Sequence, residues 1–155
     1  MYQYRITPET STHTDTITND GGFWPDIVMA NFVKEARIPP QYDDGQQYSA
    51  LIRAMATANI ELASWTARQI EQGKTSSDKA GQIINGEGVA TALYKDAVYN
   101  RAKANLLTHF ATLNRKDEAE ALAKESQETY DRLITEYQKS IRTIQDTITV
   151  SVRLL

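Results

Sequence analysis

The sequence predicts an all-α fold, a small bundle of three to four helices with an extended N-terminal arm and a β-like C-terminal tail. Three observations carry this prediction. Through most of the chain, apolar residues recur every three or four positions, as they do along one face of an α-helix. A polar segment rich in Thr, Ser and Asp comes first. The last ten residues, DTITVSVRLL, alternate polar and apolar side chains with the period of a strand.

Length and composition indicate one globular domain. The chain has 155 residues, of which 41% are apolar and 24% charged, and this is enough to bury a core. A net charge of −3 gives no overall basic surface for nucleic acid. The absence of cysteine excludes disulfides and cysteine nucleophiles. We expect no secretory signal and no membrane partner, because no apolar run approaches the ~20 residues of a membrane helix.

Residues 1–22 are expected to form the arm, extended and mobile, with a weak strand-like alternation from Tyr2 to Ile6. Phe23, Trp24 and Pro25 follow it. Two large apolar side chains at the edge of a polar segment predict an anchor for the arm. The surface that receives them is either the domain's own core or a neighbouring subunit.

The helical domain is expected over residues 23–146. A short helix is predicted from about Asp26, as its N-cap, to Arg37, and the Pro-Pro pair that follows ends it. Asp43 and Asp44 offer the cap of the next helix.

A long Ala-rich helix is then expected from Gln46 to Gln72, ended by Gly73. The Gly-rich stretch from Gly73 to Gly88 predicts a loop with room for one short turn. A third helix is expected over Val89–Leu113. The fourth, over Arg115–Gln145, carries the clearest row of residues on one helical face: Leu122, Ser126, Tyr130, Leu133, Tyr137, Ile141 and Ile144.

No fragment of the sequence predicts catalysis, a metal ion or a cofactor. Residues Gly73–Thr75 match the end of a phosphate-binding loop, but the first glycine of that motif would be Arg68. A helix end with a solvated lysine is therefore favoured. The GEGVAT segment from Gly86 lacks the third glycine of a dinucleotide fingerprint. His13 and His109 are too far apart to form a local metal-binding pair.

The order of features from Phe23 onward resembles the head completion proteins of temperate contractile-tailed phages. FWPDI follows a polar arm, and a short helix and a Pro-containing break come next. The Ala-rich helix ALIRAMATANIELASWTARQIEQG, the segment ALYKDAVYNRAKANLL and the β-like tail fit the same family. The resemblance implies a helical bundle with extended arms and no catalytic residues.

The same resemblance implies the role of a head–tail connector. Such proteins form a ring, expected to be twelve-fold, between the portal and the tail after DNA packaging. The implied partners are the portal protein, a tail-completion or tail-terminator protein, and other copies of the chain. Packaged DNA would pass through without sequence-specific binding. The implied location is the virion neck, after a stage in the host cytoplasm. The loop Gly73–Gly88 is our expectation for a pore-side or tail-side element.

The C-terminal tail, residues 147–155, is predicted to bind a partner by strand addition. Side-chain burial alone is smaller than the entropy cost of ordering the segment, so its backbone needs a receiving sheet edge. The predicted partner-binding residues are Thr147, Ile148, Thr149, Val150, Ser151, Val152, Arg153, Leu154 and Leu155. The alternative is pairing with Tyr2–Ile6 of the same chain.

Two other classes of protein fit the same pattern. A cytoplasmic helical adaptor or regulatory binding protein would carry the same amphipathic helices and form a small oligomer. A small enzyme would need titratable groups clustered in a pocket.

Overall fold

A computed structural model describes the backbone of residues 15–113 and 119–153, and the side chains of residues 15–108 and 127–146. Tyr2–Ile6, His13 and the last two residues of the tail lie outside this range. The elements follow in the order β1 (Thr16–Ile17), β2 (Ile27–Val28), α1 (Met29–Glu35), α2 (Asp44–Glu61), α3 (Ala63–Glu71), a 3-10 turn (Ser77–Lys79), β3 (Ile83–Ile84), β4 (Glu87–Gly88), α4 (Val89–Leu113) and α5 (Ala119–Arg153). The predicted, predominantly α fold is confirmed.

Helix α4 is the centre of the bundle, because it packs against both α2 and α5. Its buried residues include Tyr94, Ala97 and Val98, each with no exposed surface. The small alanine lets the neighbouring helices approach closely. The bounds of α4 are those expected from the sequence.

Helix α5 buries the face that the sequence predicts. Leu133, Tyr137, Ile141 and Ile144 are all at most 6% exposed, and Tyr130 is half-buried. The guanidinium of Arg101 lies 5.0 Å from the centre of the Tyr137 ring, which ties α5 to α4 by a cation–π contact.

The end of the predicted mobile arm is part of the fold. Strand β1 pairs antiparallel with β2, and Ile17 is 7% exposed in the core. The prediction of a mobile segment is therefore wrong for residues 15–22. The segment is mostly polar, so its single buried apolar side chain gives only a weak signal in the sequence. Its partner strand lies ten residues further along the chain, and local periodicity does not detect such a pairing.

Helix α1 begins later than the sequence predicts. Its N-cap is Val28, which makes no side-chain cap bond, and Asp26 instead accepts a hydrogen bond from the backbone N–H of Asn19 at 2.7 Å. The Asp26 carboxylate therefore bonds to the arm and does not cap helix α1. Asp26 therefore stabilises the turn between β1 and β2.

Helix α2 has the predicted cap. The Asp43 carboxylate accepts from the N–H of Gln46 at 2.8 Å, and the Gln46 side chain accepts from the N–H of Asp43 at 3.1 Å. This reciprocal pair is a capping box.

The predicted long helix is interrupted at Leu62, between α2 and α3. The Thr66 hydroxyl and its own backbone N–H both donate to the Leu62 carbonyl at 2.8 Å. The helical hydrogen bond between these two residues is kept, so the interruption is a local change of backbone angles at Leu62 (φ −91, ψ 0). At the other end, Gly73 (φ +82) closes α3, and the N–H of Lys74 donates to the Gln69 carbonyl at 3.0 Å. The predicted glycine stop is confirmed.

The expected loop contains a β-hairpin. Strands β3 and β4 pair antiparallel around Asn85 and Gly86, which have φ values of +50 and +80. Positive φ at both central residues matches a type I′ turn, for which Asn-Gly is the preferred sequence. That dipeptide is a hairpin signal that the loop prediction passed over.

The tail is helical where the structure describes it, so the predicted strand is wrong. Helix α5 continues through residues 147–153. Each β-branched residue in a helix costs only about half a kcal/mol, and extending a formed helix adds one backbone hydrogen bond per residue. An isolated strand leaves its backbone N–H and C=O groups without hydrogen-bond partners. Local alternation is therefore outweighed by the helix that precedes it.

Candidate functional site

The predicted anchor, Phe23 and Trp24, lies in the core of the same chain. Both side chains are at most 7% exposed. The Trp24 ring stacks on Tyr94 with centroids 4.6 Å apart and on Trp65 at 5.6 Å, and Phe23 meets Trp65 edge-on at 6.1 Å. Offset and edge-on aromatic pairs add to the free energy of simple burial. These side chains fix the arm to α3 and α4.

A polar network completes the anchor. The Asn19 amide donates to the Tyr94 hydroxyl at 2.9 Å and to the Pro25 carbonyl at 3.2 Å. Tyr94 donates to the Asn59 side chain at 2.6 Å, and Asn59 donates back to Asn19 at 3.0 Å. Burial raises the pKa of Tyr94 to about 12. The closed ring of bonds satisfies groups that would otherwise be buried without partners.

A second apolar surface faces solvent along α2 and α3. We name it the outer stripe, and its members are all exposed: Tyr48, Ile52, Ala56, Ile60, Ala63, Ala67 and Ile70. They recur every three or four residues, so they follow one face of the helical rod. Ile60 is 75% exposed and Ile70 is 56% exposed. Contiguous exposed apolar surface of this kind marks sites of association.

The opposite face of the same rod is the buried one. Leu51, Ala54, Ala58, Leu62 and Trp65 are at most 2% exposed. Since one face already fills the core, the outer stripe is additional to what this chain needs for folding. Its alanines leave shallow spaces between the isoleucines.

The hairpin carries a further exposed apolar pair. Ile83 is 57% exposed and Ile84 is 60% exposed. The hairpin base is held because the Asp78 carboxylate accepts from the N–H of Gly88 at 2.9 Å. A hydrogen bond from the Thr91 side chain, and then the bond from Gly88, lower the pKa of Asp78. The exposed pair Ile83–Ile84, which we name the hairpin tip, is therefore held in place by the hydrogen bonds at the hairpin base.

The described residues show no metal centre. Among the side chains of residues 15–108 and 127–146, no group of three or more His, Asp or Glu is placed to hold an ion. No helix of that part of the chain combines the length and apolarity needed to cross a membrane.

The predicted tail site and the observed surfaces do not coincide. Backbone is described for residues 147–153 only, and it is helical in the single chain, so partner binding by the tail through strand addition stays a prediction. The outer stripe was not predicted as functional, whereas the hairpin tip lies in the loop Gly73–Gly88, which was expected to be a pore-side or tail-side element. Their signals were the solvent-side isoleucines of the Ala-rich helix and the Asn-Gly turn.

Comparison with known proteins gives the family. The model of the family described as phage head completion protein (GPL) matches residues 17–155. The chain is 34% identical over 110 residues to the probable head completion/stabilization protein of Haemophilus phage HP1 (strain HP1c1), an alignment that covers 70% of this chain and 73% of that protein. No solved structure shows significant similarity to the chain. Because the family match runs from β1 through the bundle to the last residue, the chain belongs to the family of phage head completion proteins.

Proposed function

We propose that the chain is a head–tail connector, a structural protein that forms a ring between the portal and the tail and helps retain packaged DNA. Family membership supports head completion. The observation that carries the finer proposal is the outer stripe, which has no partner within the described chain. A structural protein needs such a surface, whereas an enzyme needs a cluster of reactive groups.

The occupant of the outer stripe in this proposal is a neighbouring copy of the chain. Ring closure requires a heterologous contact, in which two different surfaces of one protomer meet on successive subunits. The chain offers two apolar surfaces on separate elements: the outer stripe on α2–α3 and the hairpin tip with Ile83 and Ile84. We assign the tip of one protomer to the stripe of the next.

Magnitudes explain why such a ring would assemble on the portal rather than free in solution. Burying a fully exposed isoleucine contributes ~1.5–3 kcal/mol, so the five partly exposed ones of the stripe and the tip contribute on the order of 4–9 kcal/mol. Association costs on the order of 4–15 kcal/mol in lost freedom of motion. A single contact is therefore weak, and a portal that prearranges the subunits supplies the missing free energy.

The charge of the chain suits a DNA channel. Its net charge is −3, and affinity for duplex DNA comes chiefly from basic side chains that neutralise phosphates. A ring of acidic subunits lets the packaged DNA move without gripping it. The partners in this proposal are the portal and a tail-completion or tail-terminator protein, in the neck of the virion, with synthesis in the host cytoplasm.

Substitution of the apolar surfaces tests the proposal. Phage with a nonsense mutation in the gene for this chain would be supplied with Ile60→Asp or Ile84→Asp from a plasmid. We expect folded protein, but heads that lack tails and lose their DNA, because a buried unpaired carboxylate opposes the contact. Arg68→Asp, a change at an exposed residue of α3 that is neither three nor four residues from any member of the stripe, is the control.

Electron microscopy of the particles and the DNA content of purified heads are the readouts. Normal yields of tailed, DNA-filled particles with both variants would contradict the proposal. If the control also gave tailless heads, any added negative charge on α2–α3 would be harmful. That result would also contradict the assignment of the outer stripe as the ring contact.

A further inference from the structure

A groove with separated charges lies where the C-terminal end of α1 meets α4 and α5. It has a volume of about 530 Å³, and its charged lining residues are Glu35, Arg37, Asp96, Lys103, Arg132 and Glu136. None of these residues belongs to the outer stripe or the hairpin tip. We name it the charged groove.

Three cations form one end of this groove, the basic pole. The Lys103 ammonium donates to the Ala36 carbonyl at 2.7 Å. Burial, and then the positive charges of Arg132 and Arg37, lower the pKa of Lys103. Among the described residues, no carboxylate forms an ion pair with any of the three. None of the three cations is therefore held in an ion pair within that part of the chain.

Arg37 occupies a backbone position that glycine would fill at lower cost. Its φ of +52 is left-handed, directly after the last turn of α1, where the N–H of Ile38 donates to the Val33 carbonyl at 3.1 Å. This is the position of the usual C-terminal glycine. Strain of this kind at a non-glycine residue concentrates at functional sites. The backbone conformation of the turn favours glycine, so we attribute the presence of arginine at this position to its side chain.

Carboxylates form the other end, the acidic pole. Burial, and then the negative charges of Glu35 and Glu87, raise the pKa of Asp96. Asp96 and Lys103 stand two turns apart on α4, or about 10 Å along its axis. Glu136 lines the α5 wall one turn after Arg132. Along α4 the two signs of charge are therefore two turns apart, whereas along α5 Arg132 and Glu136 are one turn apart.

We propose that the charged groove is a docking site for a segment of a partner protein that places an Asp or Glu carboxylate on the basic pole and a Lys or Arg on the acidic pole. Arginine pairs well with carboxylates because its planar fork gives two parallel hydrogen bonds. Nucleic acid fits poorly, since phosphates present one sign of charge and the acidic pole repels them. The proposal does not rest on ring formation.

Charge inversion at the exposed members of the basic pole tests the site. Arg37→Glu and Arg132→Glu would be supplied, singly and together, to phage that lack a functional copy of this gene. Arg142→Glu, an exposed arginine of α5 outside the groove, is the matched control. We expect each groove variant to lower the titre of infectious particles on the order of tenfold or more, and the control to leave it unchanged. Circular dichroism melting checks that all variants fold.

Selection of revertants then identifies the partner. Second-site changes that replace an Asp or Glu by a neutral or basic residue in another phage protein support the docking site. Groove variants that complement as well as Arg142→Glu would overturn it. Revertants confined to this chain would also overturn it. Variant particles that assemble normally but lose DNA would assign the basic pole to phosphate and overturn the protein-partner proposal.

Discussion

Tyr94 connects three parts of the molecule through one hydroxyl group. It accepts from Asn19 of the arm, donates to Asn59 of α2, and stands on α4 beneath the Trp24 ring. Removing the oxygen leaves the buried Asn19 amide and the half-buried Asn59 amide each short of one partner, while keeping the ring that packs on Trp24. The free energy of the polar network can therefore be separated from that of aromatic packing.

Tyr94→Phe is expected to lower the free energy of unfolding by about 1–3 kcal/mol, the cost of leaving buried polar groups unpaired. Urea denaturation followed by circular dichroism measures it. Thr135→Ala, which removes an exposed hydroxyl bonded to its own helix, is expected to change stability by less than about 0.5 kcal/mol. Equal effects of the two variants would show that the network contributes nothing specific.

High pH is expected to unfold the protein through its buried tyrosines. Burial raises the pKa of Tyr94 and of Tyr99 to about 12, from an ordinary value of 10.0. The unfolded chain thus loses these protons at lower pH than the folded chain does. The contribution of these two tyrosines to stability should be constant below pH 10 and fall as the pH rises from about 10 to about 12.

Tyrosinate absorbance and urea denaturation at several pH values test this behaviour. Tyr99→Phe removes one of the titrating groups, so its stability should decline less steeply in the same interval. A wild-type stability that stays level up to pH 12 would refute the expectation.

At the scale of elements, the sequence predicted those whose signals are local. The bounds of α4, the capping box at Asp43 and the glycine stop at Gly73 all follow from nearby residues. Strand β1 did not, because a pair of two-residue strands is defined only by the partner that arrives later. The tail failed for the opposite reason, since its local alternation was outweighed by the continuing helix α5.

Loss of the cap at Asp43 should lower the stability of α2 by about the free energy of the hydrogen bonds in the capping box. Asp43→Ala is expected to cost about 1 kcal/mol of stability, and Asp43→Asn, which keeps an accepting oxygen, only a few tenths. Thermal melting of both variants measures the difference. A loss as large for asparagine as for alanine would mean that the negative charge, rather than the cap geometry, stabilises this end.

The hairpin base depends on close backbone approach at Gly88. A Cβ there would lie 2.5 Å from the Asp78 Cα, so Gly88→Ala forces the backbone apart and should destabilise the protein by about 1–3 kcal/mol. Gly21→Ala, with open space around the added atom, is the control and should be nearly neutral. Hydrogen exchange of residues 77–88 reports the loosening directly. Unchanged protection in Gly88→Ala would contradict the close contact.

At the scale of the whole molecule, apolar residues on two faces of one rod distinguish this bundle from a self-sufficient one. The sequence showed helical spacing but not which face each neighbour covers, because burial depends on where α4 packs. The sequence therefore predicted that the core is formed by apolar helix faces, but only the structure shows which apolar face of α2–α3 stays exposed as the outer stripe. The charged groove is likewise assembled from three helices distant in the sequence.

The central claim is that the chain is a component of the finished particle, in the ring between portal and tail. Quantitative mass spectrometry of purified mature phage tests it most directly. We predict that the chain is present at the copy number of the portal protein. Its absence from mature particles, with the chain found only in the soluble lysate, would contradict the connector and favour an assembly factor or regulator.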